Sequence, residues 1–438
     1  VCSIILSAGK GSRMFSDIPK PLHLISGKTM LERVIDANKS ANIKKCIIVI
    51  PENCEIFKGI CHDFETVVQK VPKGTGDAVK KASNLLKKFT GVILVCFGDT
   101  PFLTSETFKR VIKAFDNKTK LVSILNKVSS QKMFDNNYPY RSSMSKTMTE
   151  SFKKLSKNII KIYKPKLILE IGSNDGSLIK NFNKKNAICV EPCKNLAKIT
   201  KKKGFKTYAE YWDLRLAKKI KSKYHNVDLI YSANTLSHIS NLDSVFKSIS
   251  HLLSHNGILI IEDPSLLECL KRVAYDQFYN EHIYVFSLLG IINVIKKHNL
   301  QVFKVEKLKT HGGSIRYFIK KNLNSNIKID NSVKKHLKDE LKYKMNDLKT
   351  YMKFGDKVKK SKKNLVSIFN NIKKKNKKII GYGSTAKSVT VLNYCKIKSE
   401  TLDYFVDTTP NKINKYMPGA HIYIKNYKKS LLDDIDYI

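Results

Sequence analysis

The sequence of 438 residues predicts an α/β protein with several parallel sheets. Three observations carry this prediction. Short apolar segments alternate with segments whose apolar residues recur at helical spacing. Turns rich in small residues follow an apolar strand at three places, near Gly9, Gly172 and Gly381. A Lys-rich stretch of helical period lies between the second place and the third. We therefore expect three α/β units and one helical connector.

The first unit is predicted over residues 1–128. Its strands and helices alternate, as in a parallel sheet that carries helices on its faces. Because the sequence starts on Val1 and ends on the apolar pair Tyr437-Ile438, we expect a fragment at both ends. Strands are predicted at residues 3–6, 46–50, 92–96 and 121–125, and helices at residues 30–39, 76–88 and 105–115.

The rest of the chain divides into a second unit over residues 129–325, a connector over residues 326–376 and a third unit over residues 377–438. The second unit opens with a polar helical stretch, and the third unit is expected to be truncated. Strands of the second unit are predicted at residues 167–171, 187–191, 227–233, 257–262, 300–308 and 314–319.

The net charge of +44 comes almost entirely from Lys. Proteins that read bases favour Arg, whose planar group makes paired hydrogen bonds. Because the Lys residues are spread over the chain and form no stripe with interleaved aromatic residues, we expect no specific nucleic-acid partner. Nine Cys occur without a Cys-x-x-Cys pair, which argues against a zinc knuckle. No apolar run reaches the length that spans a bilayer, so we expect a cytoplasmic protein with reduced thiols and no membrane partner.

The loop after the first strand has the composition of a phosphate-binding loop. Backbone N–H groups of such a loop can surround phosphate oxygens, and nearby cations neutralise them. Asp99 ends a later apolar strand, where a carboxylate can hold Mg²⁺ against a nucleotide. The residues that predict nucleotide binding here are Ala8, Gly9, Gly11, Arg13 and Lys20.

Further strings extend this pattern in order along the chain: Pro19-Lys20-Pro21-Leu22-His23, Gly27-Lys28, Gly74-Thr75-Gly76 and Gly98-Asp99. With them, residues 1–128 resemble the nucleotide half of the sugar-1-phosphate nucleotidyltransferases, most closely the N-acetylglucosamine-1-phosphate uridyltransferase type. The resemblance adds Gln69, Gly74 and Thr75 to the nucleotide-binding residues. The acceptor-sugar half of that family and its second metal-binding carboxylate have no counterpart. We therefore expect a nucleotide-binding half-domain without transfer activity, and retained nucleotidyltransferase activity is the alternative.

A second Gly-rich string, Leu169-Glu170-Ile171-Gly172-Ser173-Asn174-Asp175-Gly176, has the form of a strand, a turn and a helix. Glu191 ends the next apolar strand, about 20 positions after Glu170. Glycine lets the backbone approach a ligand closely, and an acid at this place accepts hydrogen bonds from a ribose diol. The pattern suits an adenosyl cofactor. The predicted cofactor-binding residues are Glu170, Gly172, Asn174, Asp175, Gly176, Glu191, Asn234 and Leu236.

A third string, Tyr279-Asn280-Glu281-His282, puts a carboxylate beside an imidazole, a pair that can move a proton near neutral pH. Three further strings accompany it: Tyr138-Pro139-Tyr140, Thr310-His311-Gly312-Gly313-Ser314-Ile315-Arg316 and Gly381-Tyr382-Gly383-Ser384-Thr385-Ala386-Lys387. Together they make residues 131–438 resemble the S-adenosylmethionine-dependent C-methyltransferases that act on nucleotide-linked keto-sugars. That family usually begins with a Cys-rich zinc module, whose place is taken here by the nucleotidyltransferase-like segment.

The resemblance implies a class I methyltransferase domain, a Rossmann-like carboxy-terminal domain, S-adenosylmethionine as cofactor and a nucleotide-linked keto-sugar as substrate. It implies that His282 removes a proton next to the ketone, that Glu281 orients the imidazole, and that Tyr138, Tyr140 or Tyr279 donates to the enolate oxygen. It also implies substrate-binding roles for His311, Arg316 and Lys387, while His238 is expected to shape the pocket. The rival hypothesis is a non-catalytic scaffold that binds a nucleotide or a nucleotide-sugar.

Overall fold

The computed structural model describes residues 1–9, 16–52, 55–71, 74–87, 89, 91–114, 122–123, 128–430 and 433–438. The chain forms two compact units, Val1–Asn117 and Lys118–Ile438. The predicted nucleotide-binding residues Gly11 and Arg13 lie outside the described residues. Of the predicted strand at 121–125, only Val122–Ser123 is described. The predicted α/β fold class is confirmed in both units, while the predicted domain boundaries stay a prediction.

The first unit holds a four-stranded parallel sheet. The strands of this unit are β1 (Cys2–Leu6), β2 (Leu24–Ile25), β3 (Lys28–Thr29), β4 (Lys45–Pro51), β5 (Glu65–Gln69) and β6 (Ile93–Phe97). Its helices are α1 (Met30–Ser40), α2 (Glu55–Cys61), α3 (Thr75–Ser83) and α4 (Ser105–Ala114). The sheet order is β5-β4-β1-β6, and β2 and β3 form a separate hairpin. Apolar residues of β1 and β4 pack between α1 and α4 on one face and α3 on the other. Because β1 and β6 are parallel neighbours, their carboxyl ends lie at the same edge of the sheet.

The second unit is built on a seven-stranded sheet. The strands of this part of the unit are, in chain order, β7 (Val122–Ser123), β8 (Ile168–Ile171), β9 (Ala187–Val190), β10 (Lys206–Tyr208), β11 (Val227–Ala233), β12 (Leu253–Pro264), β13 (Tyr284–Val285), β14 (Leu300–Leu308) and β15 (Ser314–Lys321). The sheet order is β10-β9-β8-β11-β12-β15-β14, and β15 runs in the opposite direction to the other six strands. The short strands β7 and β13 pair with each other outside this sheet. The carboxyl ends of β8, β9, β11 and β12 therefore face one edge, where ligands of such sheets bind.

Helices cover both faces of this sheet. The helices of this part of the unit are α5 (Ser130–Met133), α6 (Lys146–Tyr163), α7 (Lys194–Lys202), α8 (Leu214–Tyr224), α9 (Leu242–Leu252), α10 (Leu266–Arg272) and α11 (Leu288–Lys296). Of these, α8, α9 and α11 pack on one face of the sheet and α6 packs on the other. The helix predicted directly after Gly176 is wrong, because the chain makes only short 3₁₀ turns at Ile179–Asn181 and Lys184–Asn186. Asn side chains hydrogen-bond to nearby backbone groups in this segment, which competes with helix formation.

The predicted helical connector forms α12 (Asn331–Lys342) and α13 (Leu348–Lys373). A small parallel sheet follows, with β16 (Ile380–Tyr382), β17 (Tyr404–Asp407) and β18 (Ile424–Asn426), and with α14 (Ala386–Cys395) and α15 (Tyr427–Ser430) beside it. The apolar side of α13 packs against the core of this sheet. Among the described residues, none of the helices combines the length and apolarity that crossing a bilayer requires.

Candidate active site

The second unit contains a cavity of about 1880 Å³ at the carboxyl ends of β8, β9 and β11. Its walls include the Gly-rich turn after β8, the segment around Tyr279, and the loop that leads into α14. Of the residues predicted from the sequence, it is lined by Tyr138, Tyr140, Glu170, Gly172, Asn174, Glu191, Asn234, Tyr279, Glu281, His282, His311 and Lys387.

Gly172 brings the turn after β8 close to the loop after β11. Its φ is +69°, and a Cβ atom there would lie 2.2 Å from Thr235 Oγ1. Any other residue would be strained and would collide, so the predicted need for glycine at this position has a steric cause.

Glu191 presents an oriented carboxylate at the end of β9. Its Oε2 accepts a hydrogen bond from Asn174 N at 2.7 Å, and its Oε1 accepts one from Cys193 N at 3.0 Å. Burial raises the pKa of Glu191, which these backbone N–H groups partly offset. Each oxygen keeps a lone pair that a ribose hydroxyl could use.

Glu170 lies deeper, at the end of β8. Its Oε2 accepts from Ile179 N at 3.1 Å, which ties the end of the Gly-rich segment to the strand. Burial raises its pKa well above the ordinary value.

Asn174 and Asp175 join the Gly-rich turn to the Tyr138–Tyr140 segment. Asn174 Oδ1 accepts from Ser142 N at 2.9 Å, and its Nδ2 donates to the Tyr140 backbone oxygen at 3.2 Å. The Asp175 carboxylate accepts from the hydroxyls of Ser143 and Ser177. Asp175 thus holds the wall of the cavity. Three predicted cofactor-binding residues are not among the described residues that line it: Asp175, Gly176 and Leu236.

His282 is held in one tautomer by its two neighbours. Its Nδ1 lies 2.9 Å from the Gln277 backbone oxygen, and its Nε2 lies 2.8 Å from Tyr279 Oη. A carbonyl oxygen can only accept, so Nδ1 carries the proton. Nε2 therefore offers a lone pair, which accepts from the Tyr279 hydroxyl.

Burial, and to a smaller extent the charge of Lys387, lower the pKa of His282 to about 4 against the opposing effect of the Gln277 hydrogen bond, so the ring is neutral at pH 7. The Glu281 carboxylate does not form an ion pair with the His282 ring, which would raise the pKa of the imidazole. The carboxylate instead accepts from the Tyr138 hydroxyl at 3.0 Å. The predicted orientation of the imidazole by Glu281 is thus replaced by the backbone oxygen of Gln277, a contact that residue type could not signal.

His238 shapes the floor beside His282, as predicted. The two rings are stacked with centroids 5.3 Å apart, and Phe134 stacks on the other face of His238 at 5.4 Å. Asp263 of β12 is fully buried, and burial raises its pKa to about 8. Gln277 was not predicted from the sequence as a site residue.

The three predicted substrate-binding residues separate into two groups. His311 and Lys387 line the cavity, where Lys387 Nζ donates to the His311 backbone oxygen at 3.1 Å. Arg316 is not among the described residues that line it. Its guanidinium donates to Glu262 Oε2 at 2.7 Å and to Glu306 Oε2 at 2.9 Å. A substrate contact for Arg316 stays a prediction.

In the first unit, a residue predicted to bind phosphate, Lys20, contacts the residue predicted to bind the metal, Asp99. Lys20 Nζ lies 2.7 Å from Asp99 Oδ2, and Gln69 Nε2 donates to Asp77 Oδ2 at 2.8 Å. Gly74, with φ +98°, precedes Thr75 at the start of α3. Ala8 and Gly9 follow β1. Among the described residues, no cluster of three or more His, Cys, Asp or Glu side chains could hold a metal ion. The Mg²⁺ site stays a prediction.

Family models match the chain in three places. Residues 3–161 match a MobA-like NTP transferase domain, residues 140–305 a methyltransferase domain, and residues 309–438 the C-methyltransferase C-terminal domain. The first match extends past residue 128, where the sequence resemblance was predicted to end. The chain is thus similar to NTP transferases in its amino-terminal part, to methyltransferases in its central part and to the C-methyltransferase C-terminal domain in its last part.

Individual relatives are similar to parts of this chain. The C-methyltransferase NovU of Streptomyces niveus is 26% identical over 260 residues, which are 59% of this chain and 62% of that protein. The bifunctional protein GlmU of Lactobacillus johnsonii is 41% identical over 123 residues, 28% of this chain and 27% of that protein. The chain thus spans less than two thirds of either relative. A solved S-adenosylmethionine-dependent methyltransferase from Clostridium acetobutylicum covers 39% of this chain and 91% of its own, with TM-score 0.31 and 16% identity.

Proposed function

We propose that this protein transfers a methyl group from S-adenosylmethionine to a carbon next to the ketone of a nucleotide-linked sugar. One observation carries the proposal: the neutral His282, with its Nε2 lone pair, lines the same cavity as the oriented carboxylate of Glu191. The likeness to NovU supports methylation at carbon. The NTP-transferase-type domain supports a substrate that carries a nucleotide.

The Gly172 turn, Glu191 and Asn234 would hold the cofactor. Gly172 allows close backbone approach, and the buried Glu191 carboxylate suits a hydroxyl pair. S-adenosylmethionine supplies an electrophilic methyl group when it is bound.

His282 would take the proton from the carbon next to the ketone with Nε2. Tyr279, whose hydroxyl already lies 2.8 Å from Nε2, would then donate to the enolate oxygen, which stabilises the developing charge. Among the three candidate tyrosines, this contact favours Tyr279. Tyr138 is bound to Glu281, and Tyr140 is 44% exposed.

Two direct assays test the proposal. Mass spectrometry of the denatured protein should detect co-purified S-adenosylmethionine or S-adenosylhomocysteine. NMR of a nucleotide-linked keto-sugar incubated with methyl-labelled cofactor should show a new carbon-bound methyl group. A labelled methyl on oxygen or nitrogen, or no transfer at all, would contradict it.

We expect Glu191→Ala to weaken binding of S-adenosylmethionine by about 1.5–3 kcal/mol, or roughly 10- to 150-fold, since charge-assisted hydrogen bonds have this strength. Glu191→Gln, which keeps an acceptor oxygen for Asn174 N, should lose less. Calorimetry measures both, with the exposed Glu150→Ala as control. Unchanged affinity in Glu191→Ala would rule out the assigned ribose contact.

For the first unit we propose nucleoside triphosphate binding without transfer. The supporting observation is the ion pair between Lys20 and Asp99, two residues predicted to hold phosphate and metal. We expect UTP or dTTP to bind weakly to the full chain and Lys20→Ala to weaken this binding about 10-fold, because a charge-assisted phosphate contact is lost. Lys58→Ala, at an exposed ion pair, is the control. Nucleotide-sugar formation from a sugar phosphate that Lys20→Ala abolishes would show instead that the domain is active.

A further inference from the structure

A short chain of hydrogen bonds links the carboxy-terminal helix α14 to the imidazole of His282. Lys387, in the first turn of α14, donates from Nζ to the His311 backbone oxygen at 3.1 Å. The same oxygen accepts from Gln277 Nε2 at 2.6 Å. The backbone oxygen of Gln277 in turn accepts from His282 Nδ1 at 2.9 Å. Three separate segments of the chain therefore meet at the oxygen of His311.

We infer that Gln277 and Lys387 are positioning residues, which together hold His282 as the neutral Nδ1–H tautomer with its Nε2 lone pair directed to the cavity. The inference rests on the proposed function only for its catalytic consequence. The hydrogen bonds that carry it are properties of the protein without substrate.

Gln277 supplies the geometric part. It is 2% exposed and ends the 3₁₀ turn Tyr275–Gln277. Because its backbone oxygen orients the ring, the position of that oxygen decides which nitrogen carries the proton. Its side-chain bond to His311 anchors the turn from the other side. Without this anchor the turn has one connection fewer to the rest of the site.

Lys387 supplies the electrostatic part. A cation near the ring disfavours the imidazolium and so keeps the lone pair available. The carboxylate nearest in sequence, Glu281, is turned to Tyr138, so it does not cancel this effect through a direct contact. The other titratable groups that face His282 are Tyr279, His238 and His311, of which both imidazoles have a lowered pKa because they are buried. Among the charges that act on His282, that of Lys387 on α14 has the largest effect, ahead of that of His311.

The experiment compares Gln277→Met, Lys387→Met and Lys387→Arg with Lys398→Met, an exposed Lys just after α14. Nitrogen NMR of ¹⁵N-His protein without substrate reports the tautomer and pKa of His282. We expect one Nδ1–H tautomer in the wild type and in Lys398→Met, and a tautomer mixture in Gln277→Met. In Lys387→Met the pKa of His282 should rise by about 0.5–1 unit, and Lys387→Arg should restore it.

Kinetics provide the second readout. Solvent exchange at the carbon next to the ketone should slow about 10-fold in kcat in Gln277→Met, with KM unchanged, because the base and not the binding surface is disturbed. In Lys387→Met the acid limb of the exchange profile should move to higher pH. If His282 keeps its tautomer and pKa in both Met variants, the positioning role is wrong. If the NMR signals change as expected but the wild type catalyses no exchange, the positioning role stands and the proposed function fails.

Discussion

Replacement of His282 by Asn or Gln should reduce turnover by roughly 10²–10⁴, the usual contribution of a positioned base. Binding of S-adenosylmethionine should be unchanged, because the proposed cofactor contacts come from Gly172, Glu191 and Asn234 and not from His282. The variant should also lose solvent deuterium exchange at the carbon next to the ketone. NMR measures this exchange with a nucleotide-linked keto-sugar and no methyl donor.

The exchange assay separates proton removal from methyl transfer. His255→Asn is a suitable control, since His255 is an exposed imidazole remote from the lining of the cavity. If His282→Asn exchanged deuterium as fast as the wild type, another group would be the base, and Tyr138, Tyr140 and His311 would be tested in turn. If the wild type bound substrate but exchanged nothing, the binding-scaffold hypothesis would be favoured.

The pH dependence has a defined direction. Burial lowers the pKa of His282 from 6.5 to about 4, and the base acts in its neutral form. Exchange should therefore be constant near neutral pH and should be lost only as the pH falls through about 4. An acid limb near 6.5 would indicate an imidazole that is not buried in the free enzyme.

The fold was predictable wherever side chains alone determine an element. The strands at 227–233 and 300–308 were predicted with the bounds that the structure has, because apolar residues such as Val227 and Ile230 in the first and Val302 and Val305 in the second mark them. The edge strands Glu65–Gln69 and Lys206–Tyr208 were missed. Neither is fully buried, so the hydrophobic signal of a strand is weak there. Their pairing depends on a neighbouring strand that local sequence does not reveal.

The sequence indicated where the candidate site lies, but it did not indicate which groups the side chains of the site contact. Strand ends placed Glu191 and Asn234 at one edge of the sheet, since parallel strands present their carboxyl ends together, whereas His282 was predicted from its own string and the family resemblance. Which group each side chain contacts follows from tertiary packing. Glu281 binds Tyr138 although His282 is its neighbour in sequence. The backbone oxygen of Gln277 accepts the hydrogen bond from His282 Nδ1. Because every residue has a backbone oxygen, the residue type at position 277 gives no sign of this contact.

Arg316 presents the sharpest contrast between a predicted ligand contact and an observed structural one. It lies on β15 opposite Glu262 of β12, with 5% of its surface exposed, while Glu262 is fully buried. Tyr231 Oη also donates to Glu262 Oε2, at 3.2 Å. A buried carboxylate whose cation is removed is left uncompensated, which costs far more than the pair itself contributes.

We therefore expect Arg316→Met to lower the free energy of unfolding by about 3–5 kcal/mol, measured by chemical denaturation. The double variant Arg316→Met with Glu262→Gln should regain part of this loss, because the uncompensated charge is gone. The exposed Arg272→Met, at an i,i+4 pair with Glu268, should change stability by less than about 0.5 kcal/mol. A substrate-binding Arg316 would behave in the opposite way: Arg316→Met would keep its stability and raise KM, and Glu262→Gln would restore nothing. The two readouts thus decide between a guanidinium that holds two strands together and one that binds the substrate.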